Sequence, residues 1–106
     1  MTMSAASAVP MGLTVAVLPD LPATLLHGQA VAWVRVALEA ARKLRADQVL
    51  GVNASALTRF DSSALAALLE LRRGLQARQQ SLQLVGASPR LLELAALYGV
   101  TELLGT

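Results

Sequence analysis

Residues 48–87, QVLGVNASALTRFDSSALAALLELRRGLQARQQSLQLVGA, set the order of secondary structure in this chain. The stretch opens with an apolar run at 48–54 and closes with another at 81–87, and each has the length of a buried strand. From Ser62 to about Arg78, leucine and alanine recur at the spacing of an amphipathic helix. A strand, a helix and a strand in close succession predict two parallel strands joined by a right-handed crossover.

Shorter elements are predicted before this unit. LTVAVLP at 13–19 is rich in β-branched residues and predicts a strand, and a second short strand is expected at 23–26. Apolar residues at helical spacing predict a helix from about 28 to 44. The first twelve residues, 1–12, show no such period and are expected to form a disordered tail, which leaves 13–106 as one domain.

A last helix is predicted after the second strand of the central unit. Ser88 caps its start and Pro89 occupies the first helical position, where a missing backbone N–H has no consequence. Gly99 can take the left-handed conformation that ends a helix, and Val100 can pack back against it. The predicted fold class is α/β or α+β, a small mixed sheet with helices packed mainly on one face.

Composition limits the classes of function that this chain can have. It has 106 residues, 55% of them hydrophobic, and a net charge of only +2. Its basic residues are scattered and lack interleaved aromatic residues, so no nucleic-acid partner is expected. Charges interrupt every apolar run before it reaches the roughly 20 residues of a membrane helix, and the N-terminus does not resemble a signal peptide. We therefore expect a cytoplasmic protein without direct membrane insertion.

The chain offers little that could perform catalysis. Its single histidine is His27, and a lone histidine is more often structural than catalytic. No spacing of histidine, cysteine or carboxylate residues suits a metal. Ser62 and Ser63 lack a G-x-S-x-G setting and an evident base. No phosphate-binding loop is present, because the glycines stand alone at positions that include 51, 74, 86 and 99. The sequence therefore predicts no enzyme activity, no cofactor and no metal.

Three consecutive polar residues, Asp61, Ser62 and Ser63, begin the central helix. Aspartate and serine are common N-caps, because their side-chain oxygens accept the free N–H groups of the first helical turn. In the alternative interpretation, one hydroxyl is displayed to a partner or to a kinase. The residue types alone leave both interpretations open.

Helical periodicity divides the central helix into two sides. The predicted core stripe comprises Ala64, Leu65, Leu68, Leu71 and Leu75. The flank that faces away from the core comprises Ser62, Ala66, Leu69 and Arg73. Small residues beside an arginine at the rim favour a protein-binding surface, to which Arg59 can contribute from the preceding loop. The alternative is that Leu69 packs under a neighbouring element, while Arg73 and Arg59 are solvated charges.

From Val49 to Val100 the chain resembles the STAS domain of sulfate transporters and anti-sigma factor antagonists. The segments LTRFDSSALAALL and LLELAALYGVTELL are most similar to the STAS subunit of the Mla phospholipid-transport ABC system of Gram-negative bacteria. The resemblance implies that Ser62 is the functional hydroxyl, since the functional residue of the family directly follows the aspartate. Ala64 departs from the family, which usually has glycine there, and its methyl group could alter the fit to a partner.

Two main functions are compatible with this resemblance. The first is a non-enzymatic subunit that binds and stabilises the ATPase of an ABC transporter maintaining outer-membrane phospholipid asymmetry, within a larger complex at the inner membrane. Its candidate partner-binding residues are Arg59, Asp61, Ser62, Ser63, Ala66, Leu69 and Arg73. The alternative is an anti-sigma factor antagonist that is regulated by phosphorylation of Ser62. A small-ligand binding module is a third and weaker possibility.

Overall fold

The computed structural model describes residues 15–104, so the predicted tail at 1–12 lies outside the described residues. The strands are β1 (Val15–Val17), β2 (Thr24–Leu25), β3 (Val49–Asn53), β4 (Arg59–Phe60) and β5 (Ser81–Val85). The α-helices are α1 (His27–Arg42), α2 (Ser62–Gln76) and α3 (Pro89–Leu97), and a 3-10 helix follows at Thr101–Leu104. The predicted α/β class is confirmed.

The main sheet has three strands in the order β1-β3-β5. β3 pairs in parallel with β5, with Val49 opposite Ser81 and Asn53 opposite Val85, as the strand–helix–strand pattern predicts. β1 also pairs in parallel with β3. Every strand pairing within residues 15–104 is parallel, so the antiparallel pairing of a mixed sheet is not found in this part of the chain.

A second, two-stranded sheet sets the starts of α1 and α2 side by side. β2 and β4 pair in parallel, with Leu25 opposite Phe60, and a single residue separates each strand from the helix that follows it. The backbone N–H groups of Thr58 and Arg59 both donate to the Ala23 carbonyl at 2.9 Å, which extends this pairing. The loop predicted up to Phe60 is therefore wrong at its end, where Arg59 and Phe60 form β4.

The core lies where α1 and α2 pack together and against the main sheet. All five residues of the predicted stripe on α2 are buried, and Trp33 of α1 is 8% exposed with its indole N–H donating to the Asp20 carbonyl at 3.0 Å. α1 approaches α2 closely at Gly74, where an added Cβ would lie 2.5 Å from Leu38 Cδ2. Alanine and glycine in the two helices therefore permit their close packing.

α3 ends as the sequence predicts. Gly99 has a φ of +70° and donates its N–H to the Ala96 carbonyl, while Val100 donates to the Ala95 carbonyl at 2.9 Å. These two bonds form a Schellman motif, and Val100 packs against the core. The 3-10 helix that follows is not predicted, although it buries Leu104 completely.

Candidate functional site

Asp61 is the N-cap of α2. It has an extended backbone, and its carboxylate accepts a hydrogen bond from the Ser63 N–H at 2.8 Å. Its carbonyl accepts from the Ala64 N–H at 3.0 Å. The first turn of α2 is therefore stabilised by Asp61, and the carboxylate is also favoured by the helix dipole.

The Ser62 hydroxyl has no role in this cap. Ser62 is exposed, and no group among residues 15–104 forms a hydrogen bond with its side chain. Ser63 is half-buried, and its amide is the one that Asp61 caps. The Ser63 hydroxyl likewise makes no hydrogen bond within residues 15–104, so what distinguishes the Ser62 hydroxyl is its exposure at the surface.

The predicted flank of α2 forms an exposed ridge with one exception. Ser62, Ala66 and Arg73 are exposed, whereas Leu69 is half-buried and packs against the core. Arg73 forms an ion pair with Glu70 at 3.5 Å, and both side chains remain more than half exposed. We call Ser62, Ala66 and Arg73 the α2 ridge.

Two other predicted positions are placed by the structure. Arg59 is exposed on β4, one residue before Phe60. Ala64 is completely buried in the core, so its methyl group does not reach the surface where a partner would bind. The alanine at position 64 therefore affects the packing of the core and not the surface where a partner would bind.

The groove between α1 and α2 runs along one side of the α2 ridge. This α1–α2 groove has a volume of about 290 Å³, and its lining is mostly alanine and valine. Val31, on the rim, is 55% exposed although it is apolar. Ser63 and Ala66 face this groove, as does His27 at the start of α1. His27 thus contributes to an apolar surface groove rather than to a cluster of reactive groups.

A second groove lies on the other side of the ridge, between the start of α2 and helix α3. This α2–α3 groove has a volume of about 570 Å³ and is lined by Asp61 and Ser62 together with residues of α3. Leu97 and Tyr98, which line it, are 81% and 57% exposed. Apolar side chains so exposed beside a free hydroxyl are typical of a surface that another protein covers.

The exposure of Val31 and of Leu97 is not predicted from the sequence. Helical periodicity could have indicated Leu97, because Leu91 and Ala95 form the buried stripe of α3 and Leu97 lies about 200° around the helix from Ala95. The exposure of Val31 is harder to predict, because α1 is apolar on most of its faces. Only the elements that pack against α1 show which of these faces is buried.

The described residues offer no clustered chemistry at this surface. Among them, no three histidine, cysteine, aspartate or glutamate side chains come close enough together to hold a metal ion. Within residues 15–104, no helix combines the length and the apolarity needed to cross a bilayer. What the site does present is a free hydroxyl on a helical ridge between two grooves.

Comparison with known proteins identifies the family to which this fold belongs. The family model described as "Mlab, STAS domain" matches residues 25–105. The chain belongs to this STAS family. The match begins well before Val49, where the resemblance seen in the sequence starts, so it adds α1 and the last residue of β2. It also includes the whole α2 ridge and the grooves beside it.

A solved structure of the same kind supports the fold independently. The crystal structure of a sulfate transporter family protein from Wolinella succinogenes is similar to this chain, with a TM-score of 0.64 over 92% of this chain and 75% of that one. The two sequences are 23% identical, so the similarity concerns the fold. No curated protein matches the chain.

Proposed function

We propose that this STAS domain is a non-enzymatic subunit that binds the ATPase of an ABC transporter. The transporter would move phospholipid between the membranes of a Gram-negative bacterium and maintain the asymmetry of its outer membrane. The chain would be cytoplasmic and held at the inner membrane through the complex. Membership of the Mlab-type family supports this class of partner.

The observation that carries the proposal is the free Ser62 hydroxyl on the α2 ridge. Asp61 already caps the helix, so the structure of α2 does not require a hydroxyl at Ser62. Ser62 and Ala66 are small, which lets a partner's backbone or side chains approach α2 closely. The grooves on both sides add exposed large side chains, namely Val31 in one and Leu97 and Tyr98 in the other. Such a ridge between grooves suits the core of a protein interface.

Binding through this surface would act on the ATPase by stabilising its assembled form. The Ser62 hydroxyl would donate to or accept from a polar group of the ATPase, while Ala66 makes the close contact. Asp61 would act by holding the first turn in place, and Arg73 and Arg59 would lie at the rim. None of these side chains needs to contact nucleotide or lipid in this mechanism.

The test introduces a bulky or charged side chain on the ridge. Ser62→Arg and Ala66→Glu should leave the melting temperature of the isolated chain nearly unchanged, because both residues are exposed. Both variants should fail to co-purify with the co-expressed ATPase, because the new side chains clash and would be buried without a partner. Ala32→Glu is the matched control, since Ala32 is exposed on α1 and is not among the residues lining the α1–α2 groove.

Two outcomes would contradict this proposal. If wild type fails to co-purify with the ATPase, the proposed partner is wrong. If both ridge variants co-purify as well as Ala32→Glu does, the ATPase binds elsewhere on the chain.

The free hydroxyl also supports the alternative, an anti-sigma factor antagonist. An exposed serine at the first position of a helix is accessible to a kinase, and the positive end of the helix dipole favours a phosphate there. In that case the partner of the ridge would be a serine kinase that modifies Ser62. The phosphorylation state of Ser62 distinguishes the two functions.

A further inference from the structure

Arg90 is held in a defined position without an acidic partner. It is exposed in the first turn of α3, and its guanidinium carbon lies 5.0 Å from the centroid of the Phe60 ring. A cation above an aromatic face is attracted to it, which restricts the mobility of the arginine side chain. The ion pairs found within residues 15–104 join Arg42 with Glu39 and Arg73 with Glu70, and neither includes Arg90.

The local structure of α3 does not explain a positive charge at this position. The first turn of a helix carries a partial positive charge, so cations are disfavoured there and anions are favoured. Ser88 already caps the helix by accepting from the Leu91 N–H at 3.2 Å. Arg90 and the start of α3 would both be stabilised by an anion that comes from outside the chain.

A third groove lies beside Arg90, between β4 and the start of α3. This β4–α3 groove has a volume of about 360 Å³ and is lined by Leu57, Thr58, Phe60, Ser88, Pro89 and Arg90. Arg90 is the only ionisable residue among them. Phe60 and Arg90 also line the α2–α3 groove, so this pair borders both grooves.

The charges on the two sides of Arg90 favour one direction of approach for an acidic group. The α2–α3 groove carries two carboxylates, those of Asp61 and Glu93, which would repel a further carboxylate. The lining of the β4–α3 groove contains no acidic residue. A carboxylate that reaches Arg90 from the β4 side therefore meets only the positive charge, and apolar neighbours can pack on Phe60 and Pro89.

We infer that the β4–α3 groove binds an acidic side chain of the ATPase, flanked by an apolar residue, and that Arg90 is its anchor. This inference rests on the proposed function, because it names the chemistry of the same partner beyond the α2 ridge. The planar guanidinium can bind a carboxylate through two parallel hydrogen bonds, which also fixes the orientation of the partner segment.

The experiment measures the Kd of the purified chain for the ATPase by calorimetry at low and at high salt. Arg90→Glu should weaken binding by about 10- to 100-fold at low salt, as expected for the loss of a charge-assisted hydrogen bond. Arg90→Lys should have an intermediate affinity, because it keeps the charge but not the planar geometry. Arg35→Glu is the matched control, since Arg35 is an exposed arginine of α1 outside the three grooves.

A charge exchange identifies the acidic group directly. In the Arg90→Glu background, surface acidic residues of the ATPase are changed to arginine one at a time, and one of these changes should restore binding. Melting temperatures of all variants test whether folding is retained. The inference is overturned if Arg90→Glu binds as tightly as Arg35→Glu while Ser62→Arg still abolishes the complex, a result that leaves the proposed function intact. If wild type shows no binding to the ATPase, both the inference and the proposed function are wrong.

Discussion

Asp61 and Ser62 are adjacent in the chain, but only the side chain of Asp61 caps the start of α2. The Asp61 carboxylate satisfies the Ser63 amide, which would otherwise have no intrahelical partner. The Ser62 hydroxyl projects from the first turn without a hydrogen bond to any described residue. Because the cap comes from the preceding residue, Ser62 can be specialised for recognition without a loss of helix stability.

This separation predicts different effects of two alanine substitutions. Asp61→Ala should lower the free energy of unfolding by about 0.5–2 kcal/mol, the usual cost of removing an N-cap. Ser62→Ala should leave it nearly unchanged, yet weaken binding to the ATPase. Urea denaturation of the isolated chain measures the first effect, with Ser88→Ala, the cap of α3, as a positive control. Equal destabilisation by Ser62→Ala and Asp61→Ala would show that Ser62 also supports the helix.

At the scale of single residues, the sequence predicts the start of α2 but not which of its polar residues is the cap. Asp61, Ser62 and Ser63 all have side chains that can cap a helix, and only backbone geometry distinguishes them. The position of Arg90 is not predictable from local pattern either. Its contact with Phe60 joins segments about 30 residues apart, and the pairing of β2 with β4 places Phe60 at that point.

The C-terminal end of α3 depends on the ability of Gly99 to adopt a left-handed backbone conformation. Gly99 has a φ of +70°, and a Cβ at this position would meet nothing within 4 Å, so a substitution acts through the backbone alone. Gly99→Ala should therefore lower the free energy of unfolding by about 1–2 kcal/mol, the cost of a left-handed conformation for a residue with a Cβ.

Gly28→Ala is the matched control for this prediction. A Cβ at Gly28 also meets nothing within 4 Å, but Gly28 lies in the first turn of α1 and has no positive φ. Its substitution should be neutral or stabilise the chain by about 0.4–1 kcal/mol. Thermal and urea unfolding of both variants give the comparison, and a Gly99→Ala variant as stable as Gly28→Ala would argue against the Schellman motif.

Elements of different length differ in how well the sequence predicts them. α1 and α2 span 16 and 15 residues, enough turns for a helical period to be seen, and both lie within two residues of their predicted limits. β4 has only two residues and the 3-10 helix four, so neither shows a period. β4 depends on pairing with β2, and the 3-10 helix depends on the burial of Leu104, and both are tertiary contacts.

The core and the proposed partner-binding surface lie on opposite sides of α2. The buried side carries a run of leucines, among them Leu68, Leu71 and Leu75, that packs within the core. The α2 ridge faces outward between the α1–α2 and α2–α3 grooves. Variants on the ridge can therefore remove partner binding without unfolding the domain, which makes the function of this surface experimentally separable from its stability.

A negative charge introduced at Ser62 tests whether this position contacts the ATPase. A phosphate adds about −1.5 to −2 charges at the first residue of α2, where the helix dipole favours an anion. Ser62→Asp, which imitates part of that charge, should keep the free energy of unfolding or raise it by about 0.3–1 kcal/mol. It should abolish ATPase binding, because the new carboxylate would be buried at the interface beside Asp61. Ser81→Asp, at an exposed serine of β5, should retain binding.

The state of Ser62 in the cell completes this test. If the chain is a transporter subunit, its intact mass after purification from the native host should correspond to the unmodified sequence, because a phosphate would prevent the complex. A stoichiometric phosphoserine at Ser62, together with stable binding to a serine kinase, would instead establish the antagonist. The two functions therefore assign opposite consequences to the same hydroxyl, a contact that must stay unmodified in one and a regulated modification site in the other.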